Sequence, residues 1–111
     1  MRDVKFRAWD KEGKRMIPSC SSMLSNGVFK LMQYTGLKDI NGKEIYEGDI
    51  IAHIPEGVLE TKMQIIWHDG SFYTAWADGC ASHVFNQIFG NHSKVIGNIY
   101  ENPELLEGLR N

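Results

Sequence analysis

Long apolar runs are missing from this 111-residue chain. Crossing a bilayer takes about 20 consecutive apolar residues, and no segment approaches that, so no membrane partner is expected. No secretory leader is expected either. The opening "MRDVKFRAWD" is charged and contains no apolar stretch, which points to the cytoplasm. Cysteine is scarce, with only Cys20 and Cys80; in a reducing compartment both thiols are expected to stay reduced. A basic excess is also absent. The formal net charge is -2, whereas duplex binding normally draws on a surplus of cations to displace counterions. What remains is a globular composition, 42% hydrophobic and 23% charged, which excludes a disordered chain. The length suits one domain over residues 1–111 with a core of its own.

Catalytic signatures are equally sparse. His68, Cys80 and His83 form the one cluster worth testing for metal, with Cys80 and His83 at a plausible ligand spacing and Asp78 close by. Zinc needs four ligands, or three and a water, and the paired spacing of strong zinc motifs is missing. The plainer reading is a surface His68 beside a turn and a small buried Cys80, so no metal or other cofactor is expected. Cys80 with His83 or His53, and Ser71 with His68, are chance pairs without a nucleophile elbow. Glu44, Glu47 and Asp49 cluster, but acid–base work needs a pocket that drives two pKa values apart. "TGLKDINGK" lacks the spacing of a phosphate-binding loop. The chain reads as a non-enzyme.

Glycine, by contrast, is plentiful. Asn26-Gly27, Asn41-Gly42, Asp69-Gly70 and Asp78-Gly79 suit tight hairpin turns, and Glu12-Gly13 and Glu56-Gly57 add two candidates. Short alternating runs lie between them. Val4, Phe6 and Ala8 share one face of a first strand, and Arg15 to Ile17 can return beside it, with Pro18 marking an edge. Val28 to Met32 is a third strand and Ile50 to Ile54 a fourth. The clearest hairpin puts Met63, Ile65 and Trp67 against Phe72, Thr74 and Trp76 around Asp69-Gly70. A last strand spans Lys94 to about Asn102, with Gly97 suggesting a bulge or a close approach. Helix is limited to two candidates. Val84, Phe85, Ile88 and Phe89 fit one or two turns stopped by Gly90, or else a bent strand. At the C-terminus Asn102 can cap a short helix, with Pro103 at its first position and Leu105, Leu106 and Leu109 as an apolar stripe. The sum is a mainly β fold, a small antiparallel meander forming a half-open or SH3-like barrel, with that short C-terminal helix.

Residues 33–51, "QYTGLKDINGKEIYEGDII", read as a chain-reversing element feeding a core strand. Gly36, Gly42 and Gly48 recur every six residues, as successive turns require. The charges of this stretch are expected in water, with Leu37, Ile45 and Tyr46 pinning it to the sheet.

Charge is unevenly spread. Residues 1–50 carry nine Lys/Arg against seven Asp/Glu, and residues 51–111 three against seven. Mixing on one surface explains this most simply; head-to-tail association of unlike faces is the sharper alternative. Lys5, Arg7 and Trp9 fall on one face of the first strand, a cationic and aromatic arrangement that could hold single-stranded nucleic acid. The plainer reading is a solvated outer face.

Three segments go beyond composition: "KFRAWDKEGKRM" at 5–16, "LMQYTGLKDINGKEIYEGDII" at 31–51 and "VIGNIYENPELL" at 95–106. In this order and spacing the chain resembles the YopX family of small phage and prophage proteins. The resemblance implies an all-β half-barrel, homo-oligomers, expression in a bacterial host cytoplasm, and no assigned activity, so it supplies no catalytic residues. A host or phage protein is the expected partner besides the chain itself, with Leu37, Tyr46, Leu105, Leu106 and Leu109 as the expected contacts.

Overall fold

The computed structural model describes residues 5–20, 29–54, 60–76 and 78–106. Strands Phe6–Asp10 (β1), Arg15–Cys20 (β2), Phe29–Lys38 (β3) and Glu44–Tyr46 (β4) make one sheet in the order β2-β1-β3-β4. Strands Asp49–His53 (β5), Thr61–His68 (β6), Ser71–Ala75 (β7), Ala81–Val84 (β8) and Ser93–Asn98 (β9) make a second, ordered β8-β7-β6-β5-β9. A single helical turn, Gln87–Gly90 (α1), joins β8 to β9. The architecture is mainly β, antiparallel, with one half-barrel, as the alternation and turn chemistry predict.

The β6–β7 hairpin follows its sequence closely. Ile65 pairs with Thr74 and Trp67 with Phe72, and the turn residues Asp69 and Gly70 take φ of 48° and 83°. Two consecutive left-handed residues give the turn whose twist matches the flanking strands. Met63, Ile65 and Phe72 enter the core together with Ile45, Ile51 and Phe85, and Leu37, Phe89 and Val95 pack against that cluster. At the other hairpin Lys14, not Gly13, takes the left-handed conformation, with φ of 55°. The Asp10 carboxylate accepts from the amides of Glu12 and Gly13 at 3.1 and 3.0 Å, and these bonds hold its pKa below the ordinary value. Pro18 lies in β2, an edge strand, where its missing N–H costs no ladder bond.

Four expectations need correction. Residues 33–38 are not a turn but the second half of β3, a ten-residue strand. Gly36 is absorbed where the β3–β4 register shifts, while Gly42 and Gly48 do turn the chain. The acids of this stretch are not all in water: Asp39 is 6% exposed and Asp49 only 1%. The region 81–90 is both a strand and a helical turn, since Asn86 caps α1 by accepting from the Phe89 amide at 3.0 Å. Last, the expected C-terminal helix is only a 3-10 turn, Pro103–Leu105. Asn102 does not cap it. Its Oδ1 accepts from the Asn98 amide at 3.2 Å and lies where a Cβ on Gly97 would stand, 2.6 Å away. The bulge expected at Gly97 is present, and the close approach comes from this side chain. Leu109, Val4, Val28 and the pairs Asn26-Gly27 and Glu56-Gly57 lie outside the described residues.

The two turn glycines separate backbone strain from crowding. Both have φ above 80°, but a Cβ at Gly42 meets nothing within 4 Å, whereas one at Gly48 meets Met32 Sδ at 2.9 Å. Gly42→Ala is expected to cost about 1–2 kcal/mol from the left-handed conformation alone. Gly48→Ala is expected to cost clearly more, read as a lower urea midpoint at unchanged slope.

Candidate functional site

The densest polar arrangement lies where β1 of the first sheet meets the turn between β4 and β5. Alternation along β1 places Arg7 and Trp9 on the face that meets the second sheet. Arg7 Nη2 donates to Asp49 Oδ1 at 2.7 Å and, more weakly, to the Glu47 carbonyl at 3.4 Å. The other Asp49 oxygen accepts from the Tyr46 amide at 2.7 Å. The guanidinium stands 4.7 Å from the centre of the Tyr46 ring, and its Nε is buried with no hydrogen-bond partner. Burial pushes the Asp49 carboxyl above its ordinary pKa, while Arg7 and the Tyr46 amide pull it back. Both carboxylate oxygens are occupied, so Asp49 is built to hold parts together and not to move protons.

A second carboxylate ties the same stretch to β9. Asp39 Oδ1 accepts from the amides of Asn41 and Lys43 at 2.8 and 2.9 Å, and Oδ2 from the Val95 amide at 2.9 Å. Gly48 completes the link: its N–H donates to the Ile65 carbonyl at 2.8 Å and its carbonyl accepts from Ile99 at 2.9 Å. The YopX-like stretch is thus sewn to β3, β6 and β9. Asp39, before an Asn-Gly turn, and Asp49, after Gly48, could have been singled out as backbone-capping acids. Nothing in one sequence pairs Arg7 with Asp49 across 42 positions.

The expected nucleic-acid face is not an open one. Trp9 is 8% exposed, stacked on Tyr100 with ring centres 5.7 Å apart. The Arg7 side chain is 12% exposed and committed to Asp49. Lys5 is more open but pairs with Glu44 and lies over the Tyr34 ring. The second sheet covers the face that alternation alone leaves bare. The expected contact residues are also drawn inward: Tyr46 and Leu106 are buried, Leu37 packs on the core, and Leu105 is half-buried. Glu44, Glu47 and Asp49 do not converge. Glu44 meets Lys5 and the Tyr46 hydroxyl, Glu47 reaches the Gln33 amide, and Asp49 faces Arg7. Among the described residues no three metal-ligating side chains gather. His68 contacts Asp69 at the hairpin tip, and Cys80 is exposed rather than buried.

One histidine that the sequence offered only as a chance partner of Cys80 is built into the core margin. His53 stacks on Phe89, centres 3.7 Å apart, and its Nδ1 lies 3.1 Å from Ser93 Oγ. Ser93 donates that hydroxyl hydrogen to the Phe89 carbonyl at 2.8 Å, so the Nδ1–H of His53 is the donor to Ser93. Burial first, then His92 and His83, hold its pKa below the ordinary value.

Two measurements follow. Arg7→Met or Asp49→Leu alone leaves a buried charge uncompensated and is expected to cost about 3–5 kcal/mol. The double variant is expected to lose much less than the sum, read from urea unfolding of all four proteins. For His53, the unfolded chain binds its proton near pH 6.5 and the folded chain only at lower pH. Stability is therefore expected to be full above about pH 6.5 and to fall as the pH drops from there through the lowered folded pKa. His53→Phe is expected to flatten that fall in thermal melts across the range.

The fold has counterparts among solved structures. The protein EF1440 from Enterococcus faecalis is similar in structure at a TM-score of 0.73 with 29% sequence identity, over 96% of this chain and 100% of that one. The protein yopX from Bacillus subtilis shares the fold at a TM-score of 0.58 and 21% identity, again over 96% and 100%. Curated protein sequences offer no match. The family model described as YopX protein matches residues 20–107, a span that includes β3, the Gly42 and Gly48 turns and β9. By that match the chain belongs to the YopX family.

Proposed function

We propose that this is a non-enzymatic, phage- or prophage-encoded accessory protein that self-assembles and binds a host or phage protein in the bacterial cytoplasm. The observation that carries the reading is a sheet edge that no other strand pairs among the described residues, with large apolar side chains beside it. Strand β8 ends the five-stranded sheet, and every residue of it is exposed or half-exposed. Val84 on that strand is 55% exposed and Trp76, just after β7, is 44% exposed. Unpaired strand edges and exposed aromatics are what one protein offers another. Membership of the family supports the phage origin, as its resemblance implies. The commitment of both Asp49 oxygens to Arg7 and the Tyr46 amide supports a structural role for this carboxylate over a catalytic one. Among the described residues no helix is long and apolar enough to cross a membrane.

Light scattering after size exclusion checks the assembly directly. The wild-type chain is expected to run at a multiple of 12.7 kDa. Val84→Lys, placed on the edge, is expected to shift it toward the monomer without lowering the melting temperature. A wild-type monomer at high concentration contradicts the assembly, and an unshifted oligomer of the variant contradicts its location.

A further inference from the structure

A cleft of about 210 Å³ opens beside Gly48, with a lining that does not include Asp49. Its floor is Met32, Gly48 and Ile65, all buried. Trp67 and Tyr100 line it, and Lys30 and Glu47 stand among its polar groups. Trp67 is 46% exposed, yet it is held edge-on against Phe72 with ring centres 4.8 Å apart. Tyr100 is held from behind by its stack on Trp9. The aromatic walls are therefore preorganised, and one wall faces solvent.

The Glu47 carboxylate is only loosely held inside the fold. Its one hydrogen bond among the described residues is a 3.5 Å contact from the Gln33 amide, at the limit of useful geometry. No ion pair joins it to Lys30 among the described residues. Lys30 lies three residues before Gln33 on β3, about 10 Å along the strand. The Glu47 charge acts on the cleft, since it helps to raise the Tyr100 phenol, second to burial.

We propose that this cleft receives a lysine or arginine side chain of a partner protein, the cation lying against Trp67 and Tyr100 with Glu47 as its counter-charge. The volume suits one long side chain. Aromatic faces attract a cation by about 0.5–2 kcal/mol, and a loosely held carboxylate adds to that. The chain's net charge of -2 favours a basic partner over an acidic one. The inference rests on the protein-binding reading above and names the partner's chemistry.

The test is an NMR titration of the ¹⁵N-labelled full-length protein with the peptide acetyl-Gly-Arg-Gly-amide and its lysine analogue. The three indole N–H signals, of Trp9, Trp67 and Trp76, are assigned with Trp67→Phe. The Trp67 signal is expected to move saturably while that of Trp76 stays still. Glu47→Gln is expected to weaken the affinity about fivefold at an unchanged melting temperature, and Lys30→Gln to leave it equal or tighter. An equal response to the norleucine peptide would make the cleft an apolar slot and overturn the proposal. So would a stronger response to the glutamate peptide or to a thymidine dinucleotide, or no saturable shift up to about 20 mM peptide. Each of these results leaves the light-scattering measurement unaffected, so failure of the cleft is distinguishable from failure of the assembly.

Discussion

The Asp49 carboxylate is the point on which the two sheets depend. One oxygen takes the Arg7 guanidinium from β1, the other the Tyr46 backbone N–H from the end of β4, and Asp49 itself begins β5. Two stretches 42 residues apart in sequence meet at one buried group. A buried ion pair is a poor source of net stability, because removing both charges from water offsets most of their attraction. Its stronger effect is on geometry. With the charges fixed on one another, β1 has a single register against the β4–β5 turn, and a slip of one residue would place Ala8 opposite Asp49 and strand the carboxylate.

The rest of the molecule follows from that constraint. Packing Arg7 and Trp9 inward converts the cationic face of β1 into an interface between sheets. Tyr100 then has a ring to stack on, and Gly48, left without a side chain, lets Met32 approach the turn. The cleft beside Gly48 lies where the two sheets meet at one polar pin. The two surfaces proposed for binding, the β8 edge and the cleft lined by Trp67 and Tyr100, lie outside this junction.

Much of this was legible in the residues. The β6–β7 hairpin is a strict alternation around an Asp-Gly pair, and both signals are local. The turns at Gly42 and Gly48, the bulge at Gly97 and the edge position of β2 were legible for the same reason. What was not legible turned on contacts that neither periodicity nor turn chemistry displays. Residues 33–38 looked like loop because Gly36 breaks the strand period, but β4 pairs with this half of β3 while β1 pairs with the half before it. The three leucines near the C-terminus suggested a helix, yet Asn98 already accepts from the amides of Tyr100 and Glu101, and Asn102 is spent on Asn98. Lys5, Arg7 and Trp9 satisfied the pattern of a binding face because periodicity identifies faces without saying which one a second sheet will cover. Asp49 was grouped with its neighbouring acids because its true partner lies 42 residues away.

Native-state hydrogen exchange reads the central claim directly. The Tyr34 amide, bonded to the Lys5 carbonyl, reports the first sheet, and the Phe85 amide, bonded to the Phe72 carbonyl, reports the second. If the Arg7–Asp49 junction makes one cooperative unit, the two amides exchange with the same opening free energy in the wild type. In Arg7→Met the Tyr34 value then falls well below that of Phe85. Separate opening of the first sheet already in the wild type, or an equal fall at both amides in the variant, would contradict it.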